Sequence, residues 1–253
     1  MNPAVNPAHR QTGHRVRFDW GPTGADAISA GADVAVVVDV LSFTTTLAVA
    51  VERGITVLPF AWRDERAAAY AGERGATLAV GRLEARQLGG SAVSLSPADL
   101  STATGVERLV LPSPNGSSIC ATLAGGGSTV VGACLRNRTA VARHLRHAGT
   151  VAIVAAGERW PDGSLRPCAE DLWGAGAVLA ALVDLGVDDL SPEARVAETA
   201  FRAVEPDLPA ALRTCAGGLE LEAIGFGADV EVAARTDVTE VVPLLGGDGF
   251  RAA

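Results

Sequence analysis

VAVVVDVLSFTTTLAVAVERG, residues 34–54, decides the fold. Its opening, VAVVVDV (34–40), is an almost unbroken apolar run rich in valine. A run of this length and composition reads as a strand buried on both faces, the usual state of a strand in a parallel sheet. TTTLAVAVERG (44–54) follows at helical spacing. The unit is therefore strand, short turn, helix.

The same alternation extends in both directions along the chain. ITVLPF (55–60), TLAVG (77–81), ERLVLP (107–112), STVVGACL (128–135) and TVAIVAAG (150–157) read as strands. WRDERAAAYAGERG (62–75), GSSICATLAG (116–125), RNRTAVARHLRHAG (136–149) and a long segment from Ala169 to Gly186 read as helices. The stretch 82–104 has no clear period, although Ser96 could cap a short helix with Pro97 in its first turn. A polar loop, ERWPDGSLRPC, follows TVAIVAAG. Beyond residue 187 the pattern is helical and less regular, and VTEVVPLL (238–245) reads as a last strand, antiparallel or at an edge. The expectation is a layered α/β/α fold with a mainly parallel or mixed sheet. Residues 1–14 are expected to be a disordered tail and 15–253 one domain, with a division near 95–105 as the alternative.

The 253 residues are 48% apolar and suffice for a sizeable core. The formal net charge of −8 does not favour nucleic acid or an acidic membrane as partner. No apolar run approaches the roughly 20 residues of a membrane span, so the cytoplasm is the default expectation. Cys120, Cys134, Cys168 and Cys215 have no zinc or disulfide spacing and read as small core residues. The chain lacks a nucleophile elbow, a Walker A motif and a dinucleotide fingerprint.

In open α/β sheets ligands lie beyond the carboxyl ends of the strands. The residues there are unusually polar. Asp39 closes the first run, where an acid can hold a metal or activate a nucleophile. Thr44, Thr45 and Thr46 open the next helix and offer hydroxyls and N–H groups to phosphate. In SPNGSS (113–118), the N–H groups of Gly116, Ser117 and Ser118 could converge on an anion. Arg136 and Arg138 flank Asn137 at a helix start, where the dipole disfavours cations, which hints at anion binding. Arg82 in GRLEAR is a further candidate anion contact. Glu170 and Asp171 complement a helix dipole and could equally supply oxygen ligands to Mg²⁺.

In their order along the chain these segments resemble the 2-phosphosulfolactate phosphatase family. VVVDVLSFTTT resembles its VVxDVLRATTT segment, and SPNGSS its TNGT. VAAGERWPDGSLRPCAEDLWGAG resembles its CAG…EDxxAAG stretch, and Asp229, Asp237 and Pro243 match its closing pattern. The resemblance implies Mg²⁺-dependent hydrolysis of a phosphate monoester, 2-phospho-3-sulfolactate in that family. It assigns catalytic roles to Asp39, Asn115 and Asn137 and substrate contacts to Thr44, Thr45, Thr46, Gly116 and Ser117. Arg82 and Arg136 are added as substrate contacts, and Glu170 and Asp171 as metal ligands. The family arginine of DVLRATTT is Ser42 here, and its cysteine before Ala-Gly is Ala155. Three readings stand: that phosphatase, a related enzyme for another small organophosphate, or a non-catalytic phosphate-binding protein. A homodimer is the default for a soluble enzyme.

Overall fold

The computed structural model describes residues 6–61, 65–89 and 92–253. Residues 1–5 of the expected tail, the expected helix start at 62–64, and residues 90–91 lie outside the described residues.

The strands are β1 (Val16–Trp20), β2 (Val34–Val38), β3 (Thr56–Phe60), β4 (Thr77–Leu78), β5 (Arg108–Pro112), β6 (Thr129–Ala133), β7 (Val151–Ala155), β8 (Glu158–Arg159), β9 (Leu165–Arg166), β10 (Pro243–Gly246) and β11 (Gly249–Ala252). The helices are α1 (Gly21–Ser29), α2 (Phe43–Glu52), α3 (Glu65–Glu73), α4 (Arg82–Gln87), α5 (Pro97–Thr102), α6 (Gly116–Ala124), α7 (Arg138–Leu145), α8 (Ala169–Asp184), α9 (Pro192–Val204), α10 (Leu208–Thr214), α11 (Ala216–Ala223) and α12 (Gly227–Ala233). Ser96 caps α5 as expected, its Oγ accepting from Asp99 N at 3.1 Å.

The layered α/β/α expectation holds, and the alternation inside β2 shows why. Val34, Val36 and Val38 face one way, into a core shared with α7, α8 and α9. Ala35 and Val37 face the other way, into a core shared with α1, α2 and α6. All five residues of β2 are buried, so a period of two on an apolar run fills two cores at once. On the first side α8 packs closely on α9: a Cβ at Gly176 would fall on the carbonyl oxygen of Ala197 and 2.7 Å from Phe201 Cβ.

Among the described residues nine strands form the main sheet, in the order β1-β7-β2-β6-β10-β11-β3-β5-β4. β1, β7, β2 and β6 are mutually parallel, and so are β3, β5 and β4. Between these blocks stands the C-terminal hairpin. β10 runs antiparallel to β6, β11 to β10, and β3 to β11. Three reversals make the two blocks run in opposite senses, so the sheet is mixed. The expected last strand is shorter than 238–245 and lies inside the sheet rather than at its edge. β11 accounts for this. Its Phe250 is fully buried and meets Phe43 edge-on at 6.2 Å.

At the other edge β1 completes the first block. In the segment before it, Pro7–Arg10 form a 3-10 turn. The amide of Gln11 donates to Phe18 O at 2.8 Å. No helix among the described residues is long and apolar enough to cross a membrane. The four cysteines are free and buried.

Candidate active site

Asp39 follows the end of β2 and caps two helices at once. Its Oδ1 accepts from Phe43 N, the first residue of α2, and its Oδ2 from Gly116 N, the first residue of α6, both at 3.1 Å. The positive ends of two helix dipoles thus meet on one carboxylate. Gly116 permits the approach, since a Cβ there would stand 2.8 Å from Asp39 Oδ2 and from Phe43 Cβ. The loop after β5 reaches Asp39 although β5 runs opposite to β2, because the α6 it opens packs on α1 and β2.

The three threonines hold this loop together. Thr44 Oγ1 accepts from Asp39 N at 2.9 Å and donates to Asp39 O at 2.8 Å. Thr45 Oγ1 donates to Val40 O at 2.6 Å. Thr46 Oγ1 lies between the carbonyls of Ser42, at 3.0 Å, and Leu95, at 2.8 Å. All three are buried, and each hydroxyl donates to a main-chain carbonyl.

Asp171, near the start of α8, ties two parallel strands together beyond their ends. Oδ1 accepts from Val40 N at 2.7 Å and Oδ2 from Gly157 N at 2.8 Å. Glu170 is buried beside it, under α11, where Gly217 sits so close that any side chain would strike the Glu170 carboxylate. Asn115 Nδ2 donates to Glu158 Oε2 at 2.8 Å. Arg82 reaches the turn after β2, with Nη2 on Leu41 O at 3.0 Å and Nε on Asp229 Oδ2 at 2.6 Å. Asp229 is fixed in turn by Ser96 Oγ and Ala98 N.

Asp39, Asn115, Gly116, Glu170, Asp171 and Arg82 therefore gather around the end of β2. Three other candidates have different partners. Ser117 Oγ donates to Leu111 O at 2.8 Å. Asn137 is fully buried, accepts from Cys134 N at 2.9 Å and donates to Val241 O at 3.0 Å, latching β6 to the approach of β10. Arg136 pairs with Glu52 at 3.2 Å and donates to Val232 O at 3.3 Å. Glu158 joins the cluster without having been singled out in the sequence. It is the first acid after the TVAIVAAG run, the position that the strand-end rule would have marked.

Buried negative charge dominates the site. The Asp39 carboxyl is pushed up to about 7, chiefly by burial and then by Glu158; the N–H groups of Phe43 and Gly116 and the charge of Arg82 oppose the rise. Asp171 is also raised, by burial first and then by Asp39 and Glu170. Between 3.8, the ordinary value, and about 7, folded Asp39 keeps a proton that the unfolded chain has released. Rising pH over that window therefore removes stability. Calorimetry of the metal-free protein should show Tm falling from about pH 4 to about pH 7, with a smaller slope in Asp39→Asn. Equal slopes would contradict the assignment.

A cavity of about 720 Å³ adjoins this cluster without containing its carboxylates; Arg82 and Asp229 form part of its wall. The chemistry favours the carboxylate cluster as the reactive centre and not this larger space, whose lining adds only Asp99 to the acids already named.

Fold and site together define an α/β protein with an acidic, oxygen-rich centre where helices begin and parallel strands end. The sequence profile of the family described as 2-phosphosulpholactate phosphatase matches residues 24–248. A protein of Deinococcus radiodurans named probable 2-phosphosulfolactate phosphatase is 34% identical over 224 residues, covering 84% of this chain and 88% of its own. A Thermus thermophilus protein of the same name is 33% identical over 225 residues, covering 85% and 89%. One from Synechococcus is 32% identical over 232 residues, covering 86% and 89%. The chain belongs to the 2-phosphosulfolactate phosphatase family and is a phosphoric monoester hydrolase.

Proposed function

We propose that the chain hydrolyses 2-phospho-3-sulfolactate to 3-sulfolactate and inorganic phosphate, with Mg²⁺ as cofactor. The observation that carries this is Asp39, a buried carboxyl capping two helices beside Glu158 and Arg82. The family and the names of the relatives support the substrate.

The donor chemistry suits Mg²⁺. Asp39, Glu158, Glu170, Asp171 and the Asn115 amide offer hard oxygen ligands, and among the described residues the charge of Arg82 offsets that of Asp39. No three acids, histidines or cysteines converge as a metal cage among the described residues. Mg²⁺ commonly needs one or two carboxylates, water and substrate phosphate oxygens, so this is no obstacle. Glu158, with Glu170 and Asp171, would hold the ion next to Asp39, whose carboxyl stays free to take a proton. When bound, the ion would offset the charge of the acids and of the ester phosphate.

Asp39 acts as general base: it accepts a proton as the water oxygen bonds to phosphorus and the ester P–O bond breaks, and that proton then passes to the departing alkoxide. A proton affinity near neutrality suits that task. A second reading rests on Ser42, half-buried at the start of α2: a related small organophosphate is the substrate. Phosphate release should be measured on phosphosulfolactate and on a panel of phosphorylated hydroxy acids and sugars, with Mg²⁺ and with chelator. Preference for phosphosulfolactate and loss of turnover with chelator are expected. Preference for another ester would establish the second reading, and chelator-resistant turnover would remove Mg²⁺.

A further inference from the structure

The β8–β9 ribbon carries a second charge into the site. Glu158 and Arg166 are direct cross-strand partners in this antiparallel pair. Their side chains therefore leave the same face, with Cβ atoms about 5 Å apart. Glu158 is the residue that meets Asn115. The carbonyl of Arg166 packs against Gly157, where a Cβ would lie 3.1 Å away, and Gly157 N is held by Asp171. The guanidinium extends towards α11, with Nη2 3.7 Å from Glu220 Oε1. On α11, Gly217 covers Glu170. Arg166 thus reaches from the Glu158 side of the centre to its Glu170 side.

Its partners are too few for its surroundings. The side chain is only 15% exposed, yet among the described residues its guanidinium makes no hydrogen bond. Glu220 is 68% exposed and beyond hydrogen-bond range, and the Trp160 ring lies 5.7 Å away. Arg82 is held by Asp229 through Nε and by the Leu41 carbonyl through Nη2. A shielded guanidinium with a planar fork of N–H donors and no acceptor is matched by a carboxylate or a sulfonate, which it can bind in bidentate fashion.

We infer that Arg166 forms a subsite for the second anionic group of the substrate, the carboxylate or sulfonate carried on the organic part of the phosphate ester. The inference rests on the phosphomonoesterase reading above. In it Asp39 and its neighbours address the phosphate, while Arg166 fixes the far end of the molecule and sets selectivity. Glu220 is the resting partner that the substrate displaces.

The test compares wild type, Arg166→Ala, Arg166→Lys and Glu220→Ala, all with Mg²⁺. Two readouts are needed: the ratio of kcat/KM for phosphosulfolactate to that for phenyl phosphate, and calorimetric Kd for sulfolactate. Loss of one charge-assisted contact should lower the ratio and raise Kd by about 10- to 100-fold in Arg166→Ala. Arg166→Lys should lie between, and Glu220→Ala should stay within about 2-fold or bind more tightly. Equal loss on both substrates, no loss on either, or the same loss in Glu220→Ala would overturn the subsite. If wild type turns over neither ester, the sulfolactate Kd still decides: weakening in Arg166→Ala supports the subsite while the phosphatase reading fails. Absence of sulfolactate binding to wild type overturns it.

Discussion

Asp39→Asn should lower kcat for phosphate release by about 10³-fold, within the range that positioned acid–base groups supply. Asparagine has the shape of aspartate but cannot take a proton from water. It also keeps only one acceptor oxygen, so its NH₂ must face either Phe43 N or Gly116 N, both now satisfied by the carboxylate. That mismatch costs about 1–3 kcal/mol of stability. The two effects separate experimentally. Sulfolactate binding and circular dichroism report the folded site, and kcat reports the chemistry. A folded Asp39→Asn protein with wild-type turnover would remove Asp39 from the reaction.

Asp171→Ala should produce the largest loss of stability among the site variants. The substitution leaves Val40 N and Gly157 N buried without an acceptor, at the point where β2 and β7 pass into the site. At about 2 kcal/mol for each orphaned group the total is about 4 kcal/mol, or a Tm fall of roughly 8–16 °C for a chain of this size. Relief of the carboxylate's burial and of the repulsion from Asp39 and Glu170 works in the opposite direction, so the loss is read at a pH low enough for Asp171 to carry its proton. Asp171→Asn keeps one acceptor and should lose about half as much. A Tm within about 2 °C of wild type in Asp171→Ala would show that the strand ends do not depend on this carboxylate.

Much of the fold was legible because burial wrote itself into residue type. A strand covered on both faces must be apolar throughout, and VAVVVDV and TVAIVAAG are. β1, β11 and the β8–β9 ribbon lack that signature. VRFDW holds two charges at the sheet edge, and GFRA offers one large apolar residue, Phe250. The insertion of the hairpin between β6 and β3 depends on Phe250 meeting Phe43, a contact across more than two hundred residues that no local pattern encodes.

The site divides in the same manner. Asp39, Gly116 and Asp171 were legible because their place after a strand or at a helix start fixes where their short side chains and N–H groups stand. The threonine hydroxyls were legible as a cluster but not in their direction, which the tight turn of Asp39–Ser42 sets by presenting its carbonyls inward. Long side chains were least legible. Arg136 follows β6 and Arg166 ends β9, and only their tertiary partners send one to Glu52 and the other to the face of Glu158.

The most direct test is a crystal structure of the wild-type protein with Mg²⁺, inorganic phosphate and sulfolactate. The expected result is metal density against Glu158, Glu170 or Asp171 and phosphate density beside Asp39, with the organic anion on Arg166. Density for all three confined to the cavity behind Arg82 and Asp229, leaving Asp39 untouched, would contradict the account.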